Sequence, residues 1–294
     1  SHPGEWTHPI TNKKYLVNWL GSKSLTGCTI YAYIMGDDNI RHVIGKSNIG
    51  FVPYSIHSVS VTNNYLSIYI GAVHLKMLNT AIDLCISCSV KDKMNDDSAI
   101  IHIFDILKGY EQSTANTNTN TNTNMNRSRS NSHSHSHKFK HEGEVKPIAK
   151  IKVDPKVEGN TPTFIYHHIN ARAYKNEKKE TMLDLYVCAY NTMDGLLGKH
   201  VLGDMNDIMN NDIRQTLKTG CDNIRKLILN IDQEKLIKMK NYDIIDSNSV
   251  KYLTELVTIN PKYWGKTPAA CYTYSMVYKY NGSGNGSGNG SGNG

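Results

Sequence analysis

Strand-length apolar runs closed by polar turns recur along most of this chain, and that rhythm restricts it to a mainly β fold. Residues 28–35 read CTIYAYIM, and Gly36-Asp37-Asp38-Asn39 then turns the chain into residues 40–44, the signature of a hairpin. From Ser55 to Val61, Ile56, Ser58 and Ser60 alternate with His57, Val59 and Val61. Asn63-Asn64 turns into a strand at 65–73, and further strands are expected at 81–90, 99–107, 148–153, 163–174 and 181–190. The closing run at 270–280 places Tyr272, Tyr274, Met276, Tyr278 and Tyr280 on one strand face. Many short strands at close spacing imply an antiparallel β-sandwich or barrel.

Three segments switch to a helical period. Asn12 to Leu20, capped by Thr11 and ended by Gly21, places Tyr15, Leu16, Trp19 and Leu20 on one face, a terminal helix suited to docking on a neighbour. Met205, Ile208, Met209, Ile213, Leu217, Cys221, Ile224, Leu227 and Ile228 step by three and four after Asp204. Ser249 opens a third helix through Val257. The expected class is therefore mainly β with flanking helices: an antiparallel β-sandwich with an N-terminal helical arm and helices in the C-terminal half. Residues 1–21 form the arm and helix, 22–280 a single β-sandwich domain with a low-complexity insert at 113–144, and 281–294 a flexible Asn-Gly-Ser tail. The insert and tail bury too little apolar surface to offset their ordering entropy.

Composition narrows the function classes. The charge of +7 is partly carried by Arg127, Arg129, Lys138 and Lys140 in the insert, and no basic stripe interleaved with aromatics suggests nucleic acid. Tyrosine outnumbers phenylalanine 18 to 4, giving many phenols that are neutral at pH 7 and anionic in strong alkali. The six cysteines are widely spaced, which suits buried thiols in a reducing compartment. No 18-residue apolar run or charged-then-apolar start is present, so neither a membrane span nor a signal peptide is expected.

Candidate chemistry is sparse. Cys85 and Cys88 have CxxC spacing without a second pair to complete a zinc site. His133, His135 and His137 alternate with serine in a low-complexity tract. His167 and His168 share a strand, so their rings point to opposite faces and a structural role is expected. The Asp37-Asp38 and Asp96-Asp97 pairs belong to turns. No G-x-S-x-G elbow or phosphate loop occurs. No catalytic residue, metal site or required cofactor is expected, and the chain reads as a non-enzyme.

The order of elements resembles the cypovirus polyhedrins, the occlusion-body proteins of insect reoviruses. The resemblance spans residues 10–280. It rests on the strand centred on Tyr31-Ala32-Tyr33, the runs TFIYHHINARAY and TMLDLYVCAY, and the stretch Gly220-Cys221-Asp222-Asn223-Ile224-Arg225. LTELV, the Asn260-Pro261 turn and the Tyr-rich end complete it. It implies homotrimers assembling into crystals in the host-cell cytoplasm, embedding virus particles, persisting outside the cell and dissolving in alkali, with no membrane partner. It also implies a possible bound nucleotide. In that setting Tyr31, Tyr33, Tyr272, Tyr274, Tyr278 and Tyr280 are contact and alkaline-switch candidates, and Tyr15, Leu16, Trp19 and Leu20 the docking face. The alternative is a β-sandwich binding or capsid-like protein with a glycan, protein or RNA ligand.

Overall fold

A computed structural model describes residues 4–24, 27–50, 56–71, 99–120, 145–154, 164–190, 223–242, 244–245, 251–255, 265 and 276–279. Every strand pairing in it is antiparallel.

The first sheet contains β1 (Gly4–Thr7), β2 (Lys14–Ser24), β3 (Gly27–Met35) and β4 (Arg41–Ile49), in chain order. The second contains β5 (Ser60–Val61), β6 (Tyr65–Ile70), β7 (Ala99–Asp105) and β8 (Ala149–Val153). The third contains β9 (Phe164–Lys175), β10 (Thr181–Tyr190), β11 (Asn223–Asn230) and β12 (Lys235–Tyr242). A three-stranded sheet follows, of β13 (Ile244–Ile245), β14 (Lys251–Glu255) and β15 (Met276–Lys279). One helix among the described residues, α1 (Ile106–Asn120), leaves β7 and packs on β4.

Turn chemistry sets the hairpins. Asn39 takes a positive φ of 56° and its N–H donates to Gly36 O, so the Gly36–Asn39 turn closes as its sequence requires. Between β9 and β10, Lys179 adopts φ 63° while Asn176 and Glu180 hydrogen-bond each other through main and side chains. Asp105 begins α1: its Oδ1 accepts the N–H of Lys108, the bond of an N-cap.

Side-chain alternation stacks the sheets. Cys28, Ile30, Ala32 and Ile34 of β3 meet Leu66, Ile68, Ile70 and Phe104 in one core. The opposite face of the second sheet, with Tyr69, Ile101, Ile103 and Ile151, meets Leu183, Leu185, Val187, Leu227 and Leu229 in another. The middle sheet is thus covered on both sides. Each buried aliphatic side chain contributes about 1.5–3 kcal/mol relative to exposure. First strands approach one another, β1 against β5 and β5 against β9, and the last strands β8 and β12 also meet. Successive four-stranded meanders packed face to face, first strand against first strand, are arranged like the blades of a propeller-type stack.

The mainly β expectation holds, but the helices expected at both ends do not. Tyr15, Leu16, Trp19 and Leu20 lie on β2, where Tyr15 and Val17 are buried and Leu16 and Leu20 are 41% and 36% exposed, a period of two. Residues 223–228 belong to β11 and residues 251–255 to β14 rather than to helices. The rest of the expected 205–228 helix lies outside the described residues, as do Tyr272, Tyr274 and Tyr280; Tyr278 lies on β15. A two-sheet sandwich gives way to four successive sheets.

Candidate functional site

Where β5 and β9 meet, residues 57–60 and 166–168 form a polar seam. The Ser58 hydroxyl donates to the carbonyl of Tyr166, 2.9 Å, and accepts the N–H of His168, 2.8 Å. One hydroxyl therefore grips the backbone on both sides of His167. Ser60 Oγ shares a short hydrogen bond with His168 Nδ1. The His57 ring stacks on Tyr166 with centroids 3.8 Å apart, and meets the His167 ring edge-on at 4.9 Å. Tyr166 and His167 are also edge-on, at 4.8 Å.

The neighbouring imidazoles have separate roles, as strand alternation requires. His168 turns to the serine, while His167 turns to the histidine of the adjacent blade. Burial, reinforced by His167, pushes the His168 pKa down to about 3, so it is neutral at physiological pH and a poor general base for Ser60. A serine–histidine nucleophile is thereby disfavoured.

Two imidazoles in edge-to-face contact at the β5–β9 seam suit a late first-row transition metal in kind. In number they fall short: among the described residues no three His, Cys, Asp or Glu side chains converge on one point. The described part of the chain thus offers a pair of donors and not a complete coordination sphere.

Other sequence candidates lie elsewhere. Tyr31 and Tyr33 occupy the face of β3 turned away from the core, with the Lys46 ammonium 5.7 Å and the Arg41 guanidinium 5.4 Å from their ring centres. Tyr15 belongs to an aromatic group with Trp6, His8 and Tyr110. Its hydroxyl is 3.0 Å from that of Tyr110, and burial, that hydrogen bond, and the charges of Asp38 and Asp37 push its pKa up to about 12. Cys28 and Cys188 are buried thiols, as their apolar surroundings suggested. No helix of the described residues is long and apolar enough to cross a membrane.

The comparisons with known proteins overturn the polyhedrin resemblance. No family model matches the chain, and no curated protein does. The fold is shared with solved carotenoid oxygenase structures. A variant of the Synechocystis apocarotenoid oxygenase superposes with a TM-score of 0.57 at 14% identity. A chimera of that oxygenase with RPE65 gives 0.56 at 14%, and the cobalt-substituted Synechocystis enzyme 0.54 at 13%. Each match covers 95% of this chain and 44% of the other, so the chain spans under half the length of the proteins it matches.

Four expectations change with this finding. The chain shares its architecture with oxygenases and not with occlusion-body proteins, so the viral crystal function is withdrawn. The alternative of a binding or capsid-like protein gains no support from it. The non-enzyme reading is contradicted on the same ground, since the solved structures that share the fold are those of oxygenases. The expectation of no required cofactor, with a nucleotide possible, is set against the same finding, since one structural neighbour is a cobalt-substituted enzyme.

The sequence analysis placed His57 on an alternating strand and His167 on another, but did not join them. A His-Ser-x-Ser run in one strand and a His-His pair in another were the visible signals.

Proposed function

We propose that this chain builds part of a metal-dependent oxygenase of the carotenoid-oxygenase architecture, acting on an extended apolar apocarotenoid-like substrate. The observation that carries the reading is the meeting of His57, just ahead of β5, with His167 of β9 where the second and third sheets touch. The likeness in fold to the apocarotenoid oxygenases supports the reaction class, and the cobalt-substituted neighbour supports a metal.

His57 and His167 would hold the ion through ring nitrogens. An ion with open coordination positions supplies redox chemistry toward dioxygen. The chain's own contribution is positional. The stack of Tyr166 on His57 limits rotation of that imidazole, and the seam between β5 and β9 fixes its distance from His167. His168, neutral and hydrogen-bonded to Ser60, adds no charge beside the pair.

The test is oxygen-dependent cleavage of an apocarotenal by the chain supplied with ferrous iron, followed by chromatography of the products. The expected result is turnover that falls at least 100-fold in His57→Ala and His167→Ala. Turnover unaffected by both substitutions, or no turnover with iron and oxygen present, would count against the assignment.

A further inference from the structure

We infer that Ser58 is the positioning residue of the candidate metal pair, a hydroxyl clasp that sets the separation of His57 and His167. The inference rests on the proposed metal site and goes a step further, assigning a role to a side chain that could not itself be a preferred ligand.

Ser58 follows His57 directly, so its position is coupled through one peptide to that imidazole. Its Oγ donates to Tyr166 O and accepts from His168 N–H, the two backbone groups that flank His167. A hydroxyl has one proton to give and lone pairs to accept with, so a single serine can make both bonds at once. Ser58 is buried, so losing Oγ would leave a carbonyl and an N–H of β9 without this partner in a site shielded from water. Ser60 reinforces the seam two residues on by holding the His168 ring. Blades of a propeller-type stack pack mainly through apolar side chains, as both cores here show. A polar clasp between two such sheets costs desolvation, which its two hydrogen bonds offset while they tie the two backbones together. It lies beside the edge-to-face contact of His57 with His167.

The test compares Ser58→Ala with Ser58→Thr, which keeps the hydroxyl and suits a strand. Two readouts are needed. In the chain with labelled histidine and tyrosine, NMR should show ring-to-ring contacts from His57 to Tyr166 and His167 without metal. These should vanish in Ser58→Ala and persist in Ser58→Thr, with thermal unfolding showing both variants folded. Cobalt(II) titration should then show affinity reduced about 10-fold or more by Ser58→Ala and by less than 3-fold in Ser58→Thr. Ring contacts unchanged in a folded Ser58→Ala would overturn the clasp. If Ser58→Ala fails to fold, Ser58→Thr and Ser58→Cys decide it: loss of the contacts in Cys but not Thr supports the clasp, and retention in both overturns it. A seam that behaves as expected in a chain that binds no cobalt would sink the metal assignment while leaving the clasp standing.

Discussion

At the scale of single residues, burial and partners decide what each side chain can do, and the same sequence letter has different fates. His168 is neutral because it is desolvated, whereas Tyr15 is kept protonated by desolvation together with its bond to Tyr110. The Tyr15 effect makes stability depend on pH in a definite direction. In the unfolded chain the phenol ionises near pH 10.0, while in the folded chain it stays neutral to about 12. Folding therefore binds a proton more tightly, and the stability this confers is complete below pH 10 and lost as pH rises toward 12. We expect the melting temperature to fall through that window, and Tyr15→Phe to flatten the fall while costing about 1 kcal/mol at neutral pH for the lost hydrogen bond. Melting curves of both proteins from pH 8 to 12 would check this, and parallel curves would refute it.

At the scale of elements, the strands were legible wherever turn chemistry bounded them. Gly36–Asn39, Asn63-Asn64 and Asn176-Glu177 gave the hairpins around β3, β6 and β10, because a polar turn between apolar runs announces itself locally, at Asn39 with the positive φ that asparagine tolerates. The N-terminal segment misled because Tyr15, Leu16, Trp19 and Leu20 satisfy a helical spacing, while the stack buries only Tyr15 and Val17 on the core side. β11 misled for the same reason: Ile224, Leu227 and Ile228 suit a helix, yet the covered positions are Arg225, Leu227 and Leu229. Packing between sheets overrides such periodicity and is invisible within one segment. Close approach between elements makes its own prediction. A Cβ at Gly45 would run into the Phe104 ring of the next sheet. We expect Gly45→Ala to destabilise by about 1–3 kcal/mol, and Phe104→Leu to relieve part of that cost when combined with it. Urea unfolding of the single and double variants would read the coupling, and strict additivity would show that the two do not share the seam.

At the scale of the whole molecule, the candidate site was illegible because it has no local motif. His57 and His167 are far apart in sequence and meet only when the second and third sheets pack, so no spacing rule could join them. The abundance of tyrosine pointed toward a surface lattice, but Tyr69, Tyr186 and Tyr190 are buried within the stack. Element order alone resembled one all-β family, while the three-dimensional stacking of the sheets matched another at only 14% identity. Anaerobic cobalt(II) titration of the intact chain, followed by X-ray absorption at the cobalt edge, asks whether the histidines at the seam of β5 and β9 hold a metal. We expect stoichiometric uptake with imidazole scattering that loses one ring in His57→Ala and one in His167→Ala. Uptake with the same imidazole count in both variants, or no uptake, would contradict the placement of the site between these strands.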